Sequence, residues 1–301
     1  MKNKRLLAAA VLLVTPAVVF AGGTTASFLK LGSGARATGL GGAYTAVSGD
    51  INAISYNPAG LANLKRSEAG FTRAELVEGV SYNFLGYSRP AVIGNIGLGV
   101  NYLGQTAIEG RAANREATGS FQASDTAINL AYARPVTSRS GVGLNFKYIT
   151  SRIAGETANG WAVDAGCQYR TPVKGLGLGF AVQNLGPKMK FLDEGSALPL
   201  TASAGAGYML LDNVLLSLDL SRQVNEKKTV FSFGSEYAVV NSLFLRAGYL
   251  ASAATSVTGI ADAGGFKAGF GLKLRGFSLD YAVTPFGDIG KAHRLSLGAG
   301  F

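Results

Sequence analysis

His293 is the only histidine and Cys167 the only cysteine in the 301 residues. Metal centres built from clustered imidazoles or thiolates are therefore excluded, and no intramolecular disulfide can form. A Ser-His-acid site would have to be assembled around His293 alone, and no G-x-S-x-G nucleophile elbow is present. The run Gly39-Leu40-Gly41-Gly42 resembles a phosphate loop, but no Lys-Ser or Lys-Thr follows it and no strand-helix unit frames it. The residues thus point to a non-enzymatic chain without metal or cofactor, and the question passes to architecture.

The chain opens with Lys2, Lys4 and Arg5, an apolar run from Leu6 to Phe20 broken only by Thr15 and Pro16, and Ala21 before Gly22-Gly23. A basic start, a short apolar stretch and a small-residue cut site predict a secretory signal peptide over residues 1–21. The run is too short to be a membrane anchor, which needs roughly 20 apolar residues. Beyond it no segment reaches that length, so the exported chain is either soluble in the periplasm or a membrane barrel.

Composition leans toward the barrel: 48% of residues are hydrophobic and only 15% charged, with 42 glycines, where soluble domains carry about 25% charge. Removing Lys2, Lys4 and Arg5 lowers the formal net charge of +10 by three, to +7. The remaining Lys and Arg are scattered singly, without the cluster that a nucleic-acid phosphate face requires.

From about residue 68 onward the chain alternates apolar with small or polar residues. In the last segment Leu295, Leu297, Ala299 and Phe301 oppose Arg294, Ser296, Gly298 and Gly300. Upstream, Trp161, Val163, Ala165, Cys167 and Tyr169 oppose Ala162, Asp164, Gly166, Gln168 and Arg170, and Phe277, Leu279, Tyr281 and Val283 oppose Ser278, Asp280, Ala282 and Thr284. Period two means strand. The second face is mostly Gly, Ala, Ser and single charges, so the apolar face belongs against lipid and the other against a lumen. His293 shares the lipid-facing parity of Leu295, near the outer rim.

The expected fold class is all-β: a transmembrane antiparallel barrel of about fourteen strands, an even number as edge closure requires, with a short N-terminal plug or hatch segment. The strands fall near 68–75, 80–89, 94–104, 123–134, 141–151, 160–171, 175–184, 199–210, 213–222, 229–238, 242–250, 264–274, 276–284 and 292–301. Tight links, such as Pro172 to Lys174 and Leu211-Asp212, alternate with long ones, such as 105–122, 185–198 and 251–263. Short turns belong to the periplasmic side of such barrels, which puts the amino terminus there. The predicted organisation is signal peptide 1–21, plug or hatch 22–65 and barrel 66–301.

The 22–65 stretch is rich in Gly and Ala and nearly uncharged, as suits a lumen plug, and inward glycines such as Gly97, Gly99, Gly177, Gly179, Gly205, Gly207, Gly269 and Gly271 would leave it room; easing of barrel curvature explains the same glycines. Asn57 is placed to cap a short helix with Pro58 at its first position and Asn63 at its end. Arg36 and Asp50, charges in an apolar stretch, are expected to pair or to meet inward polar groups. The terminal Phe301 is read as the barrel's C-terminal signal to the assembly machinery.

Gly34-Ala35-Arg36-Ala37-Thr38-Gly39-Leu40-Gly41-Gly42-Ala43, followed by Asp50 and by Asn57-Pro58-Ala59-Gly60-Leu61, resembles the amino-terminal signature of the PorV/PorQ family of outer-membrane proteins, which is related to the FadL group. The resemblance covers the whole exported chain. It implies the outer membrane of a diderm bacterium and a role in type IX-like secretion and attachment, with secreted cargo proteins or secretion-system subunits as partners beside membrane lipid. The FadL relationship implies a second reading, passive passage of hydrophobic small molecules. That reading needs an apolar patch in a lumen whose assignable faces are chiefly Gly, Ala, Ser and isolated charges; Phe28, Leu29 and Leu31 would supply it. A purely structural barrel is the third reading.

Overall fold

The computed structural model describes residues 24–76, 79–106, 108–111, 117–191, 194–252, 264–285 and 290–301. The signal peptide expected over 1–21 lies outside the described residues, as does most of the 251–263 link.

The chain enters through short helical pieces: 3-10 turns at Ser27–Lys30, Ile51–Ser55 and Pro58–Asn63, and the helix α1 at Ala35–Gly39. Eighteen strands follow among the described residues. The first half holds β1 (Glu68–Glu75), β2 (Val80–Ala91), β3 (Gly94–Gln105), β4 (Ile108–Arg111), β5 (Ala117–Phe121), β6 (Ala123–Pro135), β7 (Ser140–Ile153), β8 (Glu156–Arg170) and β9 (Leu176–Leu185). The second holds β10 (Met189–Phe191), β11 (Glu194–Ser196), β12 (Thr201–Leu210), β13 (Val214–Gln223), β14 (Lys228–Val240), β15 (Leu243–Ser252), β16 (Gly265–Leu274), β17 (Phe277–Pro285) and β18 (Lys291–Gly300).

Fourteen of them close an antiparallel barrel in which β1 pairs with β18, from Glu68 opposite Gly300 to Glu75 opposite His293. The other four form the hairpins β4–β5 and β10–β11. Closure satisfies every backbone row and leaves no edge in the membrane. The two hairpins fall within the long links, where their strands are too short to show a period. The turns after β2, β6, β8, β12, β14 and β16 lie at one rim, the short-turn rim, which is the periplasmic one in barrels of this type; the long links lie at the other, together with the two-residue turn Ala154-Gly155 between β7 and β8.

Alternation along each strand decides what faces lipid. In β3, Ile96, Leu98 and Val100 are 41%, 50% and 38% exposed, whereas Asn95 and Asn101 between and beside them are buried. An outer surface of Leu, Val, Ile and aromatic side chains is stable only in hydrocarbon; each such side chain left in water forgoes about 1.5–3 kcal/mol of burial. Among the described residues no helix is long and apolar enough to cross a membrane; the strands do the crossing.

Candidate functional site in the lumen

Residues 24–66 touch opposite sides of the ring. The Pro58–Asn63 turn packs on β3, β6, β7 and β8, and α1 packs on β15 to β18. A segment that contacts both sides of a closed barrel lies in its lumen.

Local sequence explains its shape. Asp50 caps the turn Ile51–Ser55, accepting from Asn52 N at 3.0 Å, and Asn57 caps the turn beginning at Pro58, accepting from Ala59 N at 3.1 Å. Asn57 also reaches outward: its Nδ2 donates to Thr45 O at 2.8 Å and to Cys167 O on β8 at 3.0 Å. Gly41, at φ 70°, lets the segment lie flat against the wall, since a Cβ there would stand 2.7 Å from Phe233 O and 2.8 Å from Tyr249 N. On the other flank the wall yields instead, as a Cβ at Gly143 would stand 2.4 Å from Ala59 N. The glycines Gly97 and Gly179 face the segment in the same way, against Leu61 and Thr45.

Along one flank of the lumen runs a chain of charges. Arg36 grips Glu236 of β14 with two hydrogen bonds, 2.8 and 2.7 Å, and reaches Asp50 at 3.1 Å. Arg246 of β15 bonds the same Glu236 at 2.6 Å and Asp280 of β17 at 2.6 Å. Tyr44 donates to Asp50, and the backbone N–H groups of Tyr44 and Thr45 both donate to Asp219 of β13 at 2.8 Å. Bidentate, charge-assisted contacts of this kind fix geometry as well as adding energy. Burial raises the phenols of Tyr44 and Tyr56 above the usual tyrosine value, so both remain protonated.

The segment and this network divide the lumen. On the long-link side is a cavity of about 170 Å³. Leu29, Leu31, Leu76, Val230 and Leu250 form its aliphatic side, and Asn184, Ser203, Asp219, Gln223 and Lys267 its polar side. On the short-turn side is a cavity of about 540 Å³, bordered by Arg36, Asp50, Glu68, Lys273 and Asp280. No residue borders both; α1 turns Thr38 to the first and Arg36 to the second. Behind the second cavity the wall carries Gly70 and Gly298, paired with one another, and on its lipid side an apolar groove of about 640 Å³ runs between Phe71, Leu274, Phe277 and Leu297.

The residues singled out from sequence fall in three places. Arg36 and Asp50 meet one another in the charge network, with Gly34 against the side chain of Asn52 and Gly41-Gly42 on β14 and β15. Asn57, Pro58 and Ala59 sit on the opposite flank. Phe301 stands apart at the short-turn rim, 71% exposed and stacked on Tyr87 with ring centroids 6.4 Å apart. Leu29 and Leu31 border the smaller cavity, while Phe28 is buried with Ala127, Ile149, Met189 and Leu198. Sequence reading did not single out Asp219, Glu236 or Arg246, whose only signal is a charge at inward parity. His293 faces outward and hydrogen-bonds Tyr281 Oη at 2.6 Å. Among the described residues no group of His, Cys, Asp and Glu is placed to hold a metal ion.

The model of an uncharacterised protein family, UPF0164, matches residues 18–147. No curated protein matches the chain in sequence. Among solved structures, the toluene transporter TbuX of Ralstonia pickettii aligns with TM-score 0.68 and 14% identity over 90% of this chain and 98% of its own. The toluene transporter TodX of Pseudomonas putida aligns with TM-score 0.65 and 13% identity over 89% and 96%. A FadL homologue of Pseudomonas aeruginosa aligns with TM-score 0.57 and 11% identity over 86% and 95%. At these identities the likeness is one of fold, and it falls on the FadL side of the resemblance read from the sequence: the chain is similar in fold to FadL-type barrels.

Proposed function

We propose that this chain is an outer-membrane barrel for the passive passage of small hydrophobic molecules, with residues 22–65 as its plug. The observation that carries this reading is the 170 Å³ cavity with Leu29, Leu31, Leu76, Val230 and Leu250 on one side. Cavities of about 150 Å³ admit benzene in other proteins, so the space suits one ring, and the polar side tolerates a polar substituent. Solved structures of similar fold are described as transporters of toluene and channels for monoaromatic hydrocarbons, which supports the same solute class. The thin wall between the larger cavity and the apolar groove supports a sideways exit into the membrane.

The role in secretion and attachment that the PorV/PorQ resemblance implies ranks second. Its signature residues Arg36, Asp50 and Asn57 are engaged within the lumen rather than displayed on an outer face where cargo would dock.

The test is flux of toluene, a long-chain fatty acid and a similar-sized sugar into vesicles holding the full chain. Toluene should enter faster than the sugar, and Leu250→Trp, which fills the cavity, should slow toluene severalfold. Equal entry of sugar and toluene, or no entry of either apolar solute, would overturn the reading.

A further inference from the structure

Arg89 and Arg134 continue the lipid-facing rows of β2 and β6. Arg89 follows Leu85 and Tyr87 at spacing two, and Arg134 follows Leu130 and Tyr132. Both are exposed at the short-turn rim, with Arg139 in the next turn. β3 lies between their strands, so the two rows are about 10 Å apart. A Cβ at Gly94 would stand 3.0 Å from Arg134 Cβ, which places Arg134 beside the β2–β3 turn.

That turn carries Val92 and Ile93, 105% and 73% exposed. Tyr132 Oη donates to Ile93 O at 2.5 Å and holds the turn against the lipid-facing wall. Val136 is exposed in the neighbouring turn. Aliphatic tips of this kind are unfavourable in free water and favourable at the glycerol level of a bilayer. Arginines beside aromatic side chains at that depth meet lipid phosphates, for which the planar guanidinium fork is suited.

No internal acid neutralises the patch. Among the described residues none of Arg89, Arg134 and Arg139 forms an ion pair. Strands β2, β3 and β7 contain neither Asp nor Glu, and the single acid of β6, Asp125, lies at its opposite end. Elsewhere on the same rim Lys174 does have a carboxylate, Asp212, at 3.7 Å.

We propose that the short-turn rim over β2, β3, β6 and β7 is a docking site for anionic phospholipid of the adjoining leaflet. Arg89, Arg134 and Arg139 take the phosphates, and Val92, Ile93 and Val136 lie among the glycerol and upper acyl carbons. An acidic soluble protein fits less well, because Arg89 and Arg134 point sideways into the bilayer and not down into the periplasm.

The experiment places the full chain in nanodiscs of phosphatidylethanolamine with phosphatidylglycerol or cardiolipin, extracts it in mild detergent and counts retained lipid by native mass spectrometry. The wild type should retain the anionic lipid selectively. Loss should be about fivefold per arginine and about hundredfold for R89Q/R134Q/R139Q, while K174Q retains lipid as the wild type does. Mobility on unboiled gels checks folding, and the single variants R89Q and R134Q carry the test if the triple variant does not fold. Equal retention by wild type and variants, equal retention of phosphatidylethanolamine, or retention of an acidic protein in place of lipid would overturn the proposal.

Discussion

Against β2, β3, β6, β7 and β8 the lumen segment seats Ile54, Leu61 and Pro58 on Tyr82, Phe84 and inward glycines, with Asn57 and Asn95 bonding backbone carbonyls. Against β14 to β17 it rests on Arg36, Glu236, Arg246 and Asp280. Hydrophobic contact and close backbone approach are indifferent to the state of neighbouring charges, whereas a buried ion chain is held only while every member has its partner. The first flank is built as an anchor. The second is built as a latch, and it stands between the two cavities.

The latch should give the largest effect. Arg246→Ala leaves Asp280 without its buried partner and Glu236 with Arg36 alone, and should cost about 3–5 kcal/mol, read as urea unfolding of the detergent-solubilised barrel by the fluorescence of its one tryptophan, Trp161. A loss below 1 kcal/mol would mean that water reaches the network and that it is no latch. On the anchor side, Leu61→Ala, fully buried in the wild type, should cost about 2–4 kcal/mol in the same assay. An unchanged midpoint there would show that the segment contributes nothing to the barrel's stability. The smallest effect belongs to Asn57→Ala, which removes one cap and two carbonyl contacts and should cost about 1–2 kcal/mol. Asn57→Asp keeps the cap, so a loss equal to that of alanine would assign the energy to the bonds with Thr45 and Cys167.

The same contrast governs what could be read from sequence. Period-two alternation made the wall legible, because one residue in two must face lipid, and every barrel strand lies within a few residues of its predicted place. The hairpins β4–β5 and β10–β11 were not legible, since pairs of three to five residues carry no alternation. In the lumen, local chemistry was readable: Asn57 and Pro58 announce a capped turn, and Arg36 and Asp50 stand out as charges needing partners. Their partners were not readable, because Glu236 lies 200 residues from Arg36 in sequence. Only the registers of β14 against β15, β15 against β16 and β16 against β17 bring Glu236, Arg246 and Asp280 to one place.

The central claim is that the lumen segment separates the two cavities and must shift for a solute to cross. A Cβ built at Gly207 of β12 would stand 3.8 Å from Ala46 Cβ, the mean separation across a disulfide. The variant A46C/G207C, in a Cys167→Ala background, should therefore cross-link on oxidation and tie the segment to the wall. Toluene flux into vesicles measured on the oxidised barrel should fall to that of protein-free vesicles and return on reduction. Equal flux before and after reduction of a fully cross-linked sample would contradict the account.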